Sequence, residues 1–365
     1  MITHDIIREK AVLVHIDFFR FQRNSLPELR ELALSAGAEI VGECVGKRDK
    51  PDPRYSIGEG KVEELKQLVA LHSADLVLFN HDLTPSQERN LEETIGVRML
   101  DRTGLILDIF ARRAHTFEGK LQVELAQVQY LSSRLRRAWT HLERQRGGQI
   151  GMTGPGETQL ELDKRLLQTK VKQLNKRLSK VKNARDLSRQ SRQKSDIPTV
   201  SLVGYTNAGK STLFNALTGE HVYVQNQLFA TLDPTLRRCR LSEAKTVVLA
   251  DTVGFIRNLP HSLVKAFSAT LEETVLADVL IHVIDASDPD HDLLIEAVHE
   301  VLEELKVMDK PIIQVMNKID LIDIEPKMEP RIDRSEDGKI IRVWVSAEKK
   351  LGLDLLLCAL SEYLP

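Results

Sequence analysis

Cysteine is scarce: Cys44, Cys239 and Cys358 are the only three in 365 residues. They lie far apart and show no paired metal-ligand spacing, which points to buried or half-buried thiols in a reducing compartment rather than to a disulfide framework or a zinc site. Long apolar runs are missing as well. Residues 11–14 (Ala-Val-Leu-Val) are far too few to cross a bilayer, and no charged leader with an apolar core precedes them. A cytoplasmic chain without stable membrane insertion is the expectation. His15, His72 and His115 have no neighbours in a metal-cluster or catalytic-triad pattern, so each reads as a surface or half-buried structural residue and a small-molecule enzyme in the amino-terminal domain is disfavoured. Net charge is nearly absent, at −2. That value conceals an uneven distribution, because residues 134–194 hold 17 Lys and Arg against 5 Asp and Glu, a balance of +12 that leaves the rest of the chain at −14. One-signed excess on that scale favours a polyanionic partner held through phosphates, with no base-specific reading of DNA implied.

What is present begins at residues 204–211, which read Gly-Tyr-Thr-Asn-Ala-Gly-Lys-Ser. Gly204 and Gly209 keep a strand-to-helix turn small enough for the backbone N–H groups of Tyr205, Thr206, Asn207 and Ala208 to face phosphate oxygens. Lys210 is placed to reach the β- and γ-phosphates, Ser211 offers a hydroxyl to Mg²⁺, and Thr212 follows in the same helix. The apolar run 198–203 before the turn and the helical pattern after it supply the strand and helix that such a loop requires.

A second strand pattern, 247–250, delivers Asp251 to the magnesium through water, followed by Thr252, Val253 and Gly254, whose N–H is positioned for the γ-phosphate. Phe229, Ala230 and Thr231 form the candidate first switch, with Thr231 completing the metal shell and Thr235 as the alternative hydroxyl. Asn317, Lys318 and Asp320, in the string Asn-Lys-Ile-Asp, recognise guanine. Asn317 bonds N7, Lys318 lies along the ring, and Asp320 accepts from N1 and the exocyclic amine, a match adenine cannot make. Ser346, Ala347 and Glu348 follow a strand pattern and complete the base pocket. GTP and GDP are the expected ligands, and the candidate catalytic residues are Lys210, Thr231, Gly254 and Asn207. Phe255 stands where many GTPases carry a glutamine, and an aromatic ring cannot orient water. Asn207 resembles the asparagine that coordinates K⁺ in relatives with the same substitution, which makes K⁺ a candidate second cofactor; closing the loop by hydrogen bonds is the alternative role.

The remaining chain is long enough for two or three units. An α/β repeat fills 1–115, with strands expected near 11–17, 38–42, 75–79 and 97–100 and helices near 26–36, 61–71 and 85–95. Gly58, Gly60 and Lys61 lack the spacing of a dinucleotide fingerprint. Residues 116–185 carry two heptad-like apolar stripes, Leu121, Leu125, Val128 and Leu135, then Leu167, Val171, Leu174 and Leu178, separated by the glycine-rich stretch 147–156. They predict a long antiparallel helical hairpin with a flexible basic tip; Tyr130 and Trp139 on its first helix fit the helical seam by their spacing, with stacking on bases as the alternative. A polar linker, 186–197, joins it to a Ras-like P-loop GTPase domain, 198–365, so the fold class is α/β throughout with the hairpin inserted between.

Residues 154–165 (Gly-Pro-Gly-Glu-Thr-Gln-Leu-Glu-Leu-Asp-Lys-Arg), together with 204–211, 229–235, 251–255 and 317–320, resemble the HflX family of translational GTPases across nearly the whole chain. The resemblance implies binding to the large ribosomal subunit and a role in splitting or rescuing stalled 70S ribosomes, often under stress. It further implies that Arg137, Arg144, Arg146, Gly154, Glu157, Lys164 and Arg165 meet rRNA. A monomer is the expectation, with the hairpin packed internally; a seam offered to a second copy is the alternative. Lys164 stands where arginine is the more usual residue, which keeps the charge but not a bidentate fork, and a carboxyl-terminal extension of some relatives is not expected here. A GTP-dependent RNA-remodelling or subunit-assembly factor uses the same features without splitting ribosomes.

Overall fold

In the computed structural model, residues 9–18, 26–145, 159–193, 197–219, 228–241, 245–257, 271–323 and 328–364 are described, with the backbone alone for 135–145, 159–160 and 182–193. They form two compact units, one of residues 1–112 and 123–177, the other of 113–122 and 178–365.

Unit 1 is built on strands β1 (Lys10–Phe18), β2 (Glu39–Arg48), β3 (Leu76–Phe79) and β4 (Arg98–Leu100), all parallel in the order β2-β1-β3-β4. Helices α1 (Leu26–Ser35), α2 (Glu59–His72) and α3 (Pro85–Ile95) make the crossovers. A parallel sheet with both faces covered needs continuous apolar strands, and β1 meets that requirement with Ala11, Val12, Leu13 and Val14 fully buried. Helix α3 starts where Thr84 accepts from the Gln87 N–H and the Gln87 side chain returns a bond to the Thr84 N–H, with Pro85 in the first turn; it stops at Gly96 in the left-handed region. Strand β2 runs well past the expected 38–42, because it pairs with β1 as far as Phe18 opposite Arg48. A further helix, α4 (Arg102–Arg113), had no counterpart in the sequence reading.

The crevice where strand order reverses, between β1 and β3, is the usual ligand position in such a sheet. Here it is filled by the protein's own side chains: the buried His15 ring bonds Asp17 and Asn80 at 2.9 Å each, and Asn80 accepts from Arg102 at 2.8 Å. Arg102 in turn pairs with Glu28 at 3.1 Å, and His81 Nε2 accepts from the Ile16 N–H. Burial pushes His81 down to about 4, so it stays neutral. His15 is thus a structural residue. Lys61 is held by Glu64 at 2.7 Å at the start of α2.

Helices α5 (Phe117–Gln145) and α6 (Gln159–Gln193) follow. Leu121, Leu125, Val128 and Leu174 are buried, and Glu124 pairs with Lys170 at 2.8 Å between the two helices. One expectation changes, and one alternative is decided. Helix α6 continues to Gln193, so most of the polar stretch expected as a linker is helical; it contains no Gly or Pro to stop it. Tyr130 is not free to stack on bases, since its hydroxyl donates to Asp101 at 2.6 Å and the Arg134 guanidinium lies 4.3 Å over its ring. Arg134 itself pairs with Asp101 and Glu88, which turns it inward from the basic face. Trp139 lies where only the backbone is described, and the glycine-rich tip lies outside the described residues.

Unit 2 carries a seven-stranded sheet in the order β10-β11-β9-β8-β5-β7-β6. The strands are β5 (Thr199–Gly204), β6 (Thr235–Arg240), β7 (Thr246–Asp251), β8 (Val279–Asp285), β9 (Ile312–Asn317), β10 (Arg331–Arg334) and β11 (Ile340–Trp344). The two outer pairs, β10/β11 and β6/β7, are antiparallel and the inner ladders parallel. Helices α7 (Lys210–Thr218), α8 (Glu272–Leu276), α9 (His291–Glu304) and α10 (Leu353–Tyr363) accompany it. Val200, Leu202, Ile281, Val283, Ile313 and Val315 form the centre of its core. Parallel neighbours β5, β8 and β9 therefore end side by side, and the loops leaving their carboxyl ends share one edge of the sheet. Among the described residues no helix is long and apolar enough to cross a membrane.

Candidate nucleotide site

A cleft of about 280 Å³ opens at that edge. Its floor is the turn from β5 into α7. Gly204 has φ +150°, and a Cβ there would collide with the carbonyl oxygen of Val283 in the neighbouring strand. Gly209, at φ +92°, begins α7, and a Cβ on it would strike the Asn317 side-chain nitrogen. Both positions require glycine for conformation and for space. Asn207 between them is exposed and left-handed, at φ +62°.

Lys210 is buried and donates to the carbonyls of Gly204 at 3.1 Å and Tyr205 at 2.7 Å, so its ammonium lies folded along the loop. Burial lowers its pKa to about 8, partly countered by Asp251. At neutral pH the ammonium remains charged, and anionic phosphate oxygens beside it raise that pKa again.

The metal-side residues converge on one carboxylate. Ser211 Oγ donates to Asp251 Oδ2 at 2.7 Å, Thr231 Oγ1 donates to the same oxygen at 3.0 Å, and the two hydroxyls are 2.8 Å apart. Asp251 is fully buried at the end of β7, and its Oδ1 has no hydrogen-bond partner among the described residues. Burial pushes the Asp251 carboxyl up, against the hydrogen bond from Ser211 and the charge of Lys210. A carboxylate with a buried unpartnered oxygen and two hydroxyls gathered beside it is an oxygen donor set suited to a hard cation. Of the two candidate switch hydroxyls, that of Thr231 lies on this carboxylate, whereas Thr235 opens β6 and pairs with Asp251 through the strand ladder.

At the other end, Asn317 ties two loops together. Its Nδ2 donates to the Ala208 carbonyl and its Oδ1 accepts from the Ala347 N–H, each at 3.0 Å. One amide N–H remains for a base acceptor. Lys318 has φ +64° and pairs with Asp285 at 2.7 Å, which fixes its stem over the cleft. Asp320 is exposed in the lining beside Ala347 and Glu348, and Ser346 Oγ accepts from the Lys349 N–H at 3.1 Å to brace that loop.

The cleft thus brings together Thr206, Asn207, Gly209, Lys210, Ser211, Thr212, Phe229, Ala230, Thr231, Thr252, Gly254, Asn317, Lys318, Asp320, Ala347 and Glu348. Gly204, Tyr205, Ala208, Asp251, Val253 and Ser346 do not line it and support it from behind. Sequence reasoning missed Leu321 in the lining and Asp285 beneath Lys318. Asp285 ends an apolar strand pattern, as Asp251 does, and that parallel was the available signal. Phe255 is fully buried, in a backbone bridge with Tyr205, and contributes nothing to the cleft wall.

The family described as 50S ribosome-binding GTPase matches residues 199–318, and those described as GTP-binding GTPase N-terminal and GTP-binding GTPase Middle Region match 23–111 and 113–192. GTPase HflX of Escherichia coli (strain K12) is 56% identical over 357 residues, which span 98% of this chain and 83% of that protein. The chain belongs to the HflX family of GTPases. A second HflX, from Caldanaerobacter subterraneus, is 48% identical over 98% of this chain and 81% of its own. A crystal structure of SsGBP in complex with GDP superposes with a TM-score of 0.53 at 27% identity, covering 97% of this chain and 98% of that one. The HflX-family chain is accordingly an enzyme that hydrolyses GTP to GDP and phosphate, on an α/β amino-terminal unit with helices followed by a Ras-like P-loop domain. Its fold implies Mg²⁺-dependent nucleotide binding, and the unpartnered Asp251 oxygen fits that requirement.

Of the residues implicated in rRNA contact by resemblance to HflX, Lys164 and Arg165 are exposed early in α6. Arg137 and Arg144 fall in α5, where only the backbone is described; Arg146, Gly154 and Glu157 lie outside the described residues.

Proposed function

We propose that this HflX-family GTPase works in the cytoplasm on the large ribosomal subunit and its rRNA, splitting or rescuing stalled 70S ribosomes, with the GTP-bound form active and hydrolysis resetting it. The observation that carries the reading is the match to a GTPase family described as 50S ribosome-binding, in a chain whose HflX relatives align with it over 98% of its length. The excess of lysine and arginine over residues 134–194 supports it, since counterion release from phosphates drives such binding.

At the site, backbone N–H groups of the 204–211 loop and Lys210 neutralise the β- and γ-phosphates. Ser211, Thr231 and Asp251 would hold Mg²⁺, the carboxylate by way of water, and the ion would spread charge from the phosphate oxygens. The Gly254 N–H receives the γ-phosphate, so Thr231 and Gly254 bring two switch segments to the same group. Loss of that group on hydrolysis releases both. The Phe255 side chain is buried and carries no acceptor, so orienting the attacking water falls to other groups; Asn207, exposed and left-handed in the loop, would hold K⁺. The factor acts as a monomer.

The test is co-sedimentation with purified large subunits in GDP or a non-hydrolysable GTP analogue. Retention with the analogue that weakens steeply with salt and in Lys164→Glu/Arg165→Glu supports the reading. Failure to bind the large subunit in either nucleotide contradicts it.

A further inference from the structure

The first switch carries a second anchor that nucleotide chemistry does not require. Two residues beyond Thr231, Asp233 Oδ2 accepts the backbone N–H groups of His115 and Thr116 at 2.9 Å each, and its Oδ1 accepts the Thr116 hydroxyl. Thr116 Oγ1 in turn accepts the Gly119 N–H at 3.0 Å, as the cap of α5. These contacts all lie within unit 2, to which residues 113–122 belong. A helix leaves its first N–H groups unsatisfied and carries partial positive charge at that end, so an aspartate there is bound by hydrogen bonds and by the dipole together. Gly119 completes the fit, because a Cβ on it would collide with Asp233 Oδ1 and lie 3.1 Å from Thr116 Oγ1.

The intervening Leu232 is buried, and the two anchors are separated by roughly 7 Å of extended chain at most. Thr231 cannot leave Asp251 and Ser211 by any large displacement while Asp233 remains clasped to α5. The converse holds equally. Helix α5 is continuous from Phe117 to Gln145 and so carries its first turn directly into the segment that begins the basic helices.

We propose that Asp233 is a positioning residue that couples the magnesium-site threonine to the first turn of α5, so that GTP binding and the ordering of that turn strengthen each other. The proposal rests on the role given above to Thr231. Coupling between two sites is reciprocal: GTP, which needs Thr231 in place, steadies the start of α5, and a partner that steadies α5 raises affinity for GTP. GDP lacks the γ-phosphate and makes little use of either.

The experiment measures affinity for fluorescent GDP and for a non-hydrolysable GTP analogue, with Mg²⁺, in the full chain and in Asp233→Ala, Gly119→Val and Thr231→Ala. Amide exchange at residues 115–119 is followed in the unsubstituted chain with each nucleotide. Asp233→Ala and Gly119→Val, which break the clasp from opposite sides, are expected to weaken the analogue about tenfold, within the usual range of coupling, and to change GDP less than twofold. Asp233→Asn, which keeps one acceptor oxygen, should fall between. Exchange at 115–119 should be slower with the analogue than with GDP. The proposal is overturned if both nucleotides weaken equally, if neither weakens, or if exchange in the unsubstituted chain is the same with both. Loss of analogue preference in Thr231→Ala alone sinks the coupling and leaves the Thr231 assignment standing. Retained preference in Thr231→Ala sinks that assignment and the coupling with it.

Discussion

Replacing Gly254 with alanine isolates one contact on which the site depends. Gly254 does not lie in the left-handed region, so alanine is permitted by its backbone and the cost is steric. The added Cβ would sit 2.8 Å from Thr206 Cγ2, 2.9 Å from Thr206 Cα and 3.0 Å from Lys210 Nζ. Thr206 cannot retreat freely, because its N–H donates to the Phe255 carbonyl at 2.8 Å and the Phe255 N–H donates to Gly204 at 3.0 Å. Relief therefore opens this two-bond ladder or displaces the lysine. Overpacking of this kind costs about 1–3 kcal/mol, and losing one ladder bond accounts for about 1 kcal/mol of that. For a domain of this size, Tm falls by roughly 2–4 °C per kcal/mol. With Lys210 displaced, affinity for a GTP analogue should fall at least about tenfold, equivalent to ~1.4 kcal/mol, and more than affinity for GDP, which offers no γ-phosphate to the Gly254 N–H. Thermal melts with paired nucleotide titrations check both numbers. A Gly254→Ala chain with unchanged Tm and unchanged analogue affinity would refute the reasoning.

Three further outcomes are expected. Asp320→Asn should lower GTP affinity roughly 100-fold or more, since the base donors lose their charged acceptor, and should favour xanthosine triphosphate, whose ring carbonyl accepts from the new amide; competition titrations measure it. Hydrolysis should run faster in KCl than in NaCl at matched ionic strength, and equal initial rates would remove Asn207 from the K⁺ role. His282 in β8 is buried with Nδ1 unpartnered among the described residues, and burial first, then His299 and Lys210, push it down to about 3. Its folded pKa lies below its unfolded value, so its contribution is complete above about pH 6.5 and is lost as pH falls toward 3. By pH 5 that loss is ~2 kcal/mol at 1.36 kcal/mol per pH unit, measurable by denaturant unfolding of wild type against His282→Leu, which should lack this component.

The nucleotide site was largely legible in the sequence because phosphate, metal and guanine each demand particular residue types at short, fixed spacing. Gly204, Gly209, Lys210, Ser211, Asp251, Asn317 and Asp320 are residues of that kind. What escaped notice depends on contacts distant in sequence. Asp285 becomes meaningful only when β8 and β9 lie side by side and bring it under Lys318. Asp233 sits 117 positions from Thr116, and neither residue alone signals the clasp. Charge counting was blind to direction: Arg134 adds to the basic total yet turns inward to Asp101 and Glu88. Most strand and helix positions in unit 1 followed from short apolar runs separated by helical stretches, whereas β2 outran its apolar pattern because pairing with β1 holds even its charged end.

The most direct measurement is light scattering of purified 70S ribosomes mixed with the protein and GTP, GDP or a non-hydrolysable GTP analogue, with particle populations checked by sedimentation. The account predicts a fall in 70S and a rise in free subunits with GTP and with the analogue, none with GDP, and repeated turnover with GTP alone. Intact 70S under all three nucleotides, while the protein binds the large subunit, would contradict splitting and favour a GTP-dependent RNA-remodelling or assembly factor.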